Sequence, residues 1–69
     1  VMAIGTVKWF NVQKGFGFIT QDAGGNDAFV HMTQLEASGL SDLREGQRVS
    51  YELETGKNGK KQAVKLKLV

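Results

Sequence analysis

The stretch Gly15-Phe16-Gly17-Phe18-Ile19-Thr20 decides the fold of this chain, because it is a short run of β-forming residues bounded by turn signals. Similar apolar runs recur along the sequence at intervals of roughly ten residues, which is typical of all-β proteins. We expect five strands, over residues 4–12, 15–20, 28–32, 48–53 and 62–68. A length of 69 residues leaves room for one core, so residues 1–69 are expected to form a single domain.

The connections between these runs agree with this assignment. Residues 11–14 and 22–27 are turn signals, and Gly56-Lys57-Asn58-Gly59 precedes the last strand. Thr33-Gln34-Leu35-Glu36 has the form of a capping box that begins at Thr33, and Gly39 limits any helix to about one turn. Because five short antiparallel strands need closure to hide their edges, we expect a partly open, five-stranded antiparallel barrel of the oligonucleotide/oligosaccharide-binding (OB) fold.

Composition argues against several classes of protein. The chain has no cysteine and one histidine, which is a poor basis for a metal site. Scattered serines and that histidine form no nucleophile–base pair, so we expect no enzyme, no catalytic residue, no metal, no cofactor and no small-molecule substrate. No run of about 18 apolar residues is present, so no membrane association is expected. The absent thiols and a short, uncharged N-terminus indicate a cytoplasmic protein.

Charge is distributed unevenly along the sequence. Residues 1–20 contain Lys8 and Lys14 and no acid, residues 21–54 hold all seven acids with two arginines, and residues 55–69 contain five lysines and no acid. If the two basic ends pair in the fold, one side of the molecule becomes positive and suits a polyanion. A lysine-rich tail that only keeps a small protein soluble explains the charges equally well.

The second and third strands break the alternation of half-buried strands. If Ile19 faces the core, Phe16 and Phe18 face solvent; if Val30 faces the core, Phe29 and His31 face solvent. Such exposed aromatic area needs a reason, and the stacking of nucleic-acid bases supplies one. In the alternative, the opposite faces of these strands are buried, and the phenylalanines form the core.

Trp9 is not placed by alternation. If Val7 is buried, strict alternation along the strand predicts that Trp9 faces inward and that Lys8 and Phe10 face outward. A bulge or a strong bend in the first strand would expose both aromatic residues instead. Both possibilities stay open at the level of sequence.

Three segments resemble a known family when they are taken together. They are Lys8-Trp9-Phe10-Asn11, Lys14-Gly15-Phe16-Gly17-Phe18-Ile19 and Phe29-Val30-His31, and in this order and spacing they resemble the bacterial cold-shock proteins and related eukaryotic cold-shock domains. The likeness runs from about residue 5 to residue 66. It implies a monomeric barrel that binds single-stranded RNA and DNA with low sequence preference, acts as an RNA chaperone that keeps transcripts unpaired, and influences transcription or translation.

The resemblance also implies a set of binding residues. The binding face is expected to comprise Lys8, Trp9, Phe10, Lys14, Phe16, Phe18, Phe29 and His31, with Asn11 and Asp27 as polar contacts at its edge and with Met32, Lys60 and Lys61 at positions where this chain departs from the family. Met32 and Leu40 stand where relatives often have aromatic residues, and Gly59-Lys60-Lys61 replaces a glycine–proline pair. We therefore expect fewer stacked bases and a binding affinity that depends more on salt.

Two rival classes of protein are weighed against this interpretation. An RNA recognition motif shares the two aromatic motifs, but it needs two full helices and the opposite order of motifs along the chain. A barrel whose exposed aromatic residues bind a peptide or another protein has the same sequence features. The glycine-spaced aromatic residues and the flanking lysines favour nucleic acid.

Overall fold

The computed structural model describes residues 2–56 and 59–69. Its elements are β1 (Ala3–Asn11), β2 (Phe16–Gln21), β3 (Ala28–His31), α1 (Met32–Ala37), β4 (Arg48–Thr55) and β5 (Lys61–Leu68). Each predicted strand is present, with ends that differ by at most two residues. Lys57 and Asn58 of the predicted last turn lie outside the described residues.

The strands form a closed barrel in the order β1-β2-β3-β5-β4. The predicted OB-fold barrel is confirmed, but two details of the expectation are wrong. The barrel is closed and not partly open, and β3 pairs with β5 in parallel, at Phe29 and Gln62. The reason is geometric. Because five is an odd number, the strands of a closed five-stranded barrel cannot all run antiparallel to both neighbours, and one neighbouring pair must run parallel.

The core fills the interior of this barrel. Ile19, Ala28 and Val30 are fully buried, and α1 adds Leu35 at its contacts with β3 and β5. The remaining buried hydrophobic residues of the core are Val7, Leu43, Val49, Tyr51, Ala63 and Leu66. Since Ile19 and Val30 point inward, the outward phase predicted for the phenylalanines of β2 and β3 is confirmed.

A bulge in β1 settles the orientation of Trp9. Val7 lies opposite Ile19, but the next residue in register is Trp9, opposite Phe18, so β1 holds one extra residue at Lys8. The extra residue reverses the alternation, and Trp9 is therefore 37% exposed although Val7 is buried. Of the two possibilities that alternation left open, the bulge is the one observed.

Gly17 permits a close approach of β1 and β2 beside this bulge. A Cβ atom at position 17 would lie 2.7 Å from the Cα of Phe10 and 2.9 Å from its Cδ2, and it would also overlap the carbonyl oxygen of Trp9. No side chain larger than hydrogen fits there without moving β1. The bend of β1 and the outward position of Trp9 thus depend on a glycine in the neighbouring strand.

A second bulge lies between β4 and β5. Ser50 pairs with Lys67 and Glu52 with Val64, so Lys65 and Leu66 together stand opposite Tyr51. Lys65 adopts a φ of 52°, in the left-handed region that glycine usually occupies at the first position of such a bulge. The Lys65 ammonium lies 3.6 Å from the carboxylate of Glu52.

The helix begins two residues earlier than its capping-box pattern predicts. His31, and not Thr33, is the N-cap: its backbone is extended (φ −101°, ψ 151°), and its side chain accepts a hydrogen bond from the backbone N–H of Thr33. Met32 is consequently the first helical residue and not the end of β3. The capping-box prediction is wrong because His31 Nδ1 already accepts the hydrogen bond from the backbone N–H of Thr33, which the pattern would pair with the side chain of Glu36.

Candidate nucleic-acid interface

Five rings form one continuous group on the outer faces of β1, β2 and β3. We call this group the aromatic cluster; its members are Trp9, Phe16, Phe18, Phe29 and His31. Register places them in rows, since Phe18 lies opposite both Trp9 and Phe29, and Phe16 lies opposite His31. Residues from three sequence segments are thus assembled into a single surface.

The rings of the aromatic cluster hold one another in place. Phe16 and Phe29 are nearly parallel, with centroids 5.7 Å apart and an angle of 27°. Trp9 meets Phe16 and Phe18 edge-on at 5.5 and 5.3 Å, and Phe18 meets Phe29 edge-on at 5.7 Å. Edge-to-face and offset pairs are the arrangements that aromatic quadrupoles favour. Contacts between the rings restrict their rotation, which lowers the entropic cost of binding a ligand.

A groove runs along one side of the aromatic cluster. Its walls combine apolar rings with charged and small residues, namely Lys8, Trp9, Phe18, Gln21, Gly24, Gly25, Asn26, Asp27, Phe29, Leu53, Gly59, Lys60 and Lys61. The rings supply flat apolar area, and three of the predicted lysines stand around it. Such a combination suits a ligand with aromatic planes and negative charges.

Lys8 and Asp27 face each other across the wall of this groove. The Lys8 ammonium donates a hydrogen bond of 3.1 Å to a carboxylate oxygen of Asp27, and the two side chains are 57% and 30% exposed. An ion pair this exposed contributes little to stability. The pair instead positions a carboxylate acceptor (Asp27) and an ammonium donor (Lys8) at the edge of the aromatic cluster. This position is compatible with the polar contact predicted for Asp27.

The hairpin between β1 and β2 positions Asn11 and Lys14. The side-chain oxygen of Asn11 accepts a hydrogen bond of 2.9 Å from the backbone N–H of Lys14, and its carbonyl accepts one of 2.8 Å from Gly15. Gly15 has a φ of 81°, which a residue with a side chain rarely adopts. Asn11 therefore shapes the turn, and Lys14 is exposed within it, two residues before Phe16.

Two predicted binding residues pack against the hydrophobic core. Phe10 and Met32 are partly buried there, as is Leu40. The bulge that turns Trp9 outward directs Phe10 to the other side of β1, where its ring lies close to Gly17. The binding role of Phe10 and Met32 stays a prediction.

The groove also contains residues that the sequence did not indicate. Gln21 donates a hydrogen bond of 2.7 Å from its Nε2 to the carbonyl of Asn26, which ties the end of β2 to the loop before β3. Leu53 is exposed at the far end of β4 and lines the groove. Leu53 has the same parity along β4 as the buried Val49 and Tyr51, which alone would favour a position in the core. No signal in the sequence therefore marked it as a groove residue.

The two basic ends of the chain do not pair. β1 has β2 and β4 as neighbours, and β5 has β3 and β4. Lys60 and Lys61 nevertheless reach the same groove as Lys8, because they lie at the start of β5, beside its contact with β3. Positive charge is thus collected at the groove by the closure of the barrel and not by pairing of β1 with β5.

The shifted pKa values belong to groups outside the aromatic cluster. Arg48 donates hydrogen bonds of 2.8 and 2.6 Å to Asp22, and these bonds lower the pKa of the Asp22 carboxyl and raise that of the Arg48 guanidinium. Burial raises the pKa of the Tyr51 hydroxyl, with a smaller contribution from Asp22. Arg48 on β4 is thus tied to the turn after β2, and neither this pair nor Tyr51 lines the groove.

Two other kinds of site are absent from the described part of the chain. In residues 2–56 and 59–69, no group of three or more histidine, aspartate or glutamate side chains is placed to hold a metal ion. Within the same residues, no helix is both long and apolar enough to cross a membrane.

Comparison with known proteins identifies the family of this chain. The family model described as the 'Cold-shock' DNA-binding domain matches residues 3–69. The chain is similar to the cold shock protein CspV of Vibrio cholerae, at 60% identity over 55 residues that are 80% of this chain and 79% of that protein. It is similar to the cold shock protein ScoF of Streptomyces coelicolor, at 53% identity over 58 residues (84% and 87%). It is also similar to glycine-rich protein 2 of Nicotiana sylvestris, at 53% identity over 62 residues, or 90% of this chain and 29% of that longer protein. A family model that spans nearly the whole chain, on a five-stranded barrel with this cluster, shows that the chain belongs to the cold-shock domain family, whose members generally bind nucleic acid and are not enzymes.

Proposed function

We propose that this protein binds single-stranded RNA and DNA with low sequence preference by stacking unpaired bases on the aromatic cluster. The observation that carries the proposal is the continuous surface of five rings on β1, β2 and β3, which contact one another. Every base has a π face, so a ring can stack on it without reading its identity. Each such stack is worth about 1–3 kcal/mol.

The lysines around the groove supply the second part of the interaction. Lys8, Lys60 and Lys61 are exposed and line the groove, and Lys14 is exposed in the hairpin before Phe16. All four would neutralise phosphates. Because this term releases counterions, the logarithm of the affinity should fall linearly with the logarithm of the salt concentration. Met32 and Leu40 pack against the core in positions where relatives often carry aromatic residues, so we expect a larger share of the affinity to depend on salt here.

Preference for single strands follows from the same surface. A duplex stacks its bases on one another, so it offers no free base face to the rings. A protein that binds only the open strand shifts the pairing equilibrium toward that strand by mass action, and no ATP is required. We propose on this basis that the protein acts as an RNA chaperone that keeps transcripts unpaired, with consequent effects on transcription or translation. One chain carries the whole aromatic cluster, so a monomer suffices, and the lack of cysteine suits the cytoplasm.

A fluorescence titration tests the proposal directly. Trp9 is the sole tryptophan and lies in the aromatic cluster, so its emission reports on that surface. We expect quenching on addition of a short single-stranded oligonucleotide and little change on addition of the matching duplex. Equal quenching by both would contradict the single-strand preference. The absence of quenching by either would favour a barrel that binds another protein.

Substitution of one ring measures its contribution. Phe18→Ala should weaken binding to the single strand about 5- to 150-fold, which corresponds to the loss of one stacked base, with little change in the salt dependence. Leu68→Ala is the matched control, since it truncates an exposed apolar residue on β5, outside the aromatic cluster. Unchanged affinity of the Phe18 variant would refute the stacking assignment.

A further inference from the structure

His31 belongs to two structural units at once. Its ring forms the end of the aromatic cluster, 6.3 Å from the ring of Phe29, and its side chain is exposed. The same side chain caps α1, because Nδ1 accepts a hydrogen bond of 3.2 Å from the backbone N–H of Thr33. The hydroxyl oxygen of Thr33 also lies 3.0 Å from Nδ1. Within the described residues, both polar contacts of His31 thus involve the same ring nitrogen.

The cap dictates which nitrogen carries the proton of the neutral ring. A neutral imidazole has one donor and one acceptor nitrogen. Since a backbone amide can only donate, Nδ1 must be the acceptor, and the hydrogen is on Nε2. The hydrogen bond to Thr33 thereby sets the tautomer and restricts the rotation of the ring.

We propose that His31 binds nucleic acid as a fixed hydrogen-bond donor through Nε2–H, to an acceptor oxygen of the strand, in addition to stacking on a base. The proposal rests on the proposed function and assigns a polar role to one ring of the aromatic cluster. Carbonyl and phosphate oxygens are the acceptors that a single strand offers. Because all nucleotides carry such oxygens, this contact adds affinity without selecting a sequence.

The first test needs no nucleic acid. A long-range proton–nitrogen correlation spectrum of the free protein, recorded at a pH where the ring is neutral, distinguishes the protonated from the unprotonated imidazole nitrogen. We expect His31 to be the Nε2–H tautomer. A predominant Nδ1–H tautomer would overturn the proposal whatever the protein binds.

The second test removes the donor and leaves the ring in place. A chain of 69 residues is accessible to chemical synthesis, so His31 can be replaced by Nε2-methylhistidine, which keeps the ring and the Nδ1 acceptor. We expect unchanged thermal stability and about 3- to 10-fold weaker binding of a thymidine heptamer, the loss of one ordinary hydrogen bond. The matched control is Nδ1-methylhistidine, which blocks the cap and should lower the melting temperature.

Three outcomes of these measurements separate the proposals. If methylation of Nε2 leaves the affinity unchanged while Phe18→Ala weakens binding, the donor assignment fails and the stacking function stands. If both variants bind as tightly as the unmodified protein, the proposed function itself fails. Weaker binding of both variants supports the assignment of Nε2–H as a donor.

The acceptor of this hydrogen bond is identified by the same titration with an abasic heptamer, followed by NMR. If methylation of Nε2 still weakens binding, the acceptor is a phosphate oxygen; if methylation no longer has an effect, the acceptor is a base carbonyl.

Discussion

Replacement of Gly17 by alanine tests whether the approach of β1 and β2 controls both stability and the position of Trp9. The added Cβ would lie 2.7 Å from the Cα of Phe10, where ordinary contacts are about 3.6 Å, so β1 must retreat by roughly 1 Å. Overpacking of a core costs about 1–3 kcal/mol when side chains can adjust. Here the added methyl group meets the main chain of β1, which cannot adjust as a side chain can. We therefore expect a loss of stability at the upper end of this range, about 3 kcal/mol.

That loss is large for a domain of this size. At about 0.05–0.15 kcal/mol per residue, a chain of 69 residues has a total stability of roughly 3–10 kcal/mol. A loss of 3 kcal/mol corresponds to a decrease in melting temperature of about 12–24 °C. Circular dichroism during heating and urea titration at 25 °C measure both quantities, and the emission of Trp9 in the folded variant reports on the bulge.

Gly25→Ala provides the comparison for this experiment. Gly25 has a φ of 86°, and no atom lies within 4 Å of the point that a Cβ would occupy, so alanine there adds backbone strain without a clash. We expect a loss of about 1–2 kcal/mol from that strain alone. If Gly17→Ala lowers the stability no more than Gly25→Ala does, the argument from the close approach of the two strands is wrong.

Two further substitutions test β4 and β5. Lys65→Gly should raise the stability by roughly 0.5–1 kcal/mol, because glycine adopts a φ of 52° without strain and the exposed pair with Glu52 is worth little; a lower urea midpoint would contradict this expectation. Tyr51→Phe should raise the stability by about 1 kcal/mol, since the buried hydroxyl has no hydrogen-bond partner among the described residues. Burial raises the pKa of Tyr51, so the native protein should lose stability as the pH rises above 10.0, the ordinary value, and the phenylalanine variant should lack this contribution. Urea titrations between pH 7 and 11 compare the two, and parallel curves would show that Tyr51 does not cause the alkaline loss.

Much of the fold was predictable because strand periodicity is a local property. Each strand was found from its own residues, and Ile19 and Val30 identified the inner face of β2 and β3. Since successive side chains alternate, the outward position of Phe16, Phe18 and Phe29 followed from those two neighbours. The family resemblance rested on the same segments.

The errors arose where a position depends on contacts between distant segments. Alternation alone could not place Trp9, because its orientation depends on a bulge opposite β2 and on the missing side chain of Gly17. The capping-box pattern named Thr33, while the cap comes from a ring on the preceding strand. Phe10, which the resemblance assigns to the binding face, is turned toward the core by the same bulge, and its binding role stays a prediction.

The sequence by itself determined that this chain forms five strands, which faces of β2 and β3 are buried, and which aromatic residues are available outside. Only the tertiary structure decided that Trp9 joins them, that Lys8 faces Asp27, and that Lys60 and Lys61 reach the same groove. The physical reason is the range of the interactions. Burial of alternate side chains is set within a strand, whereas bulges, barrel closure and the meeting of charges depend on register between strands that are far apart in sequence.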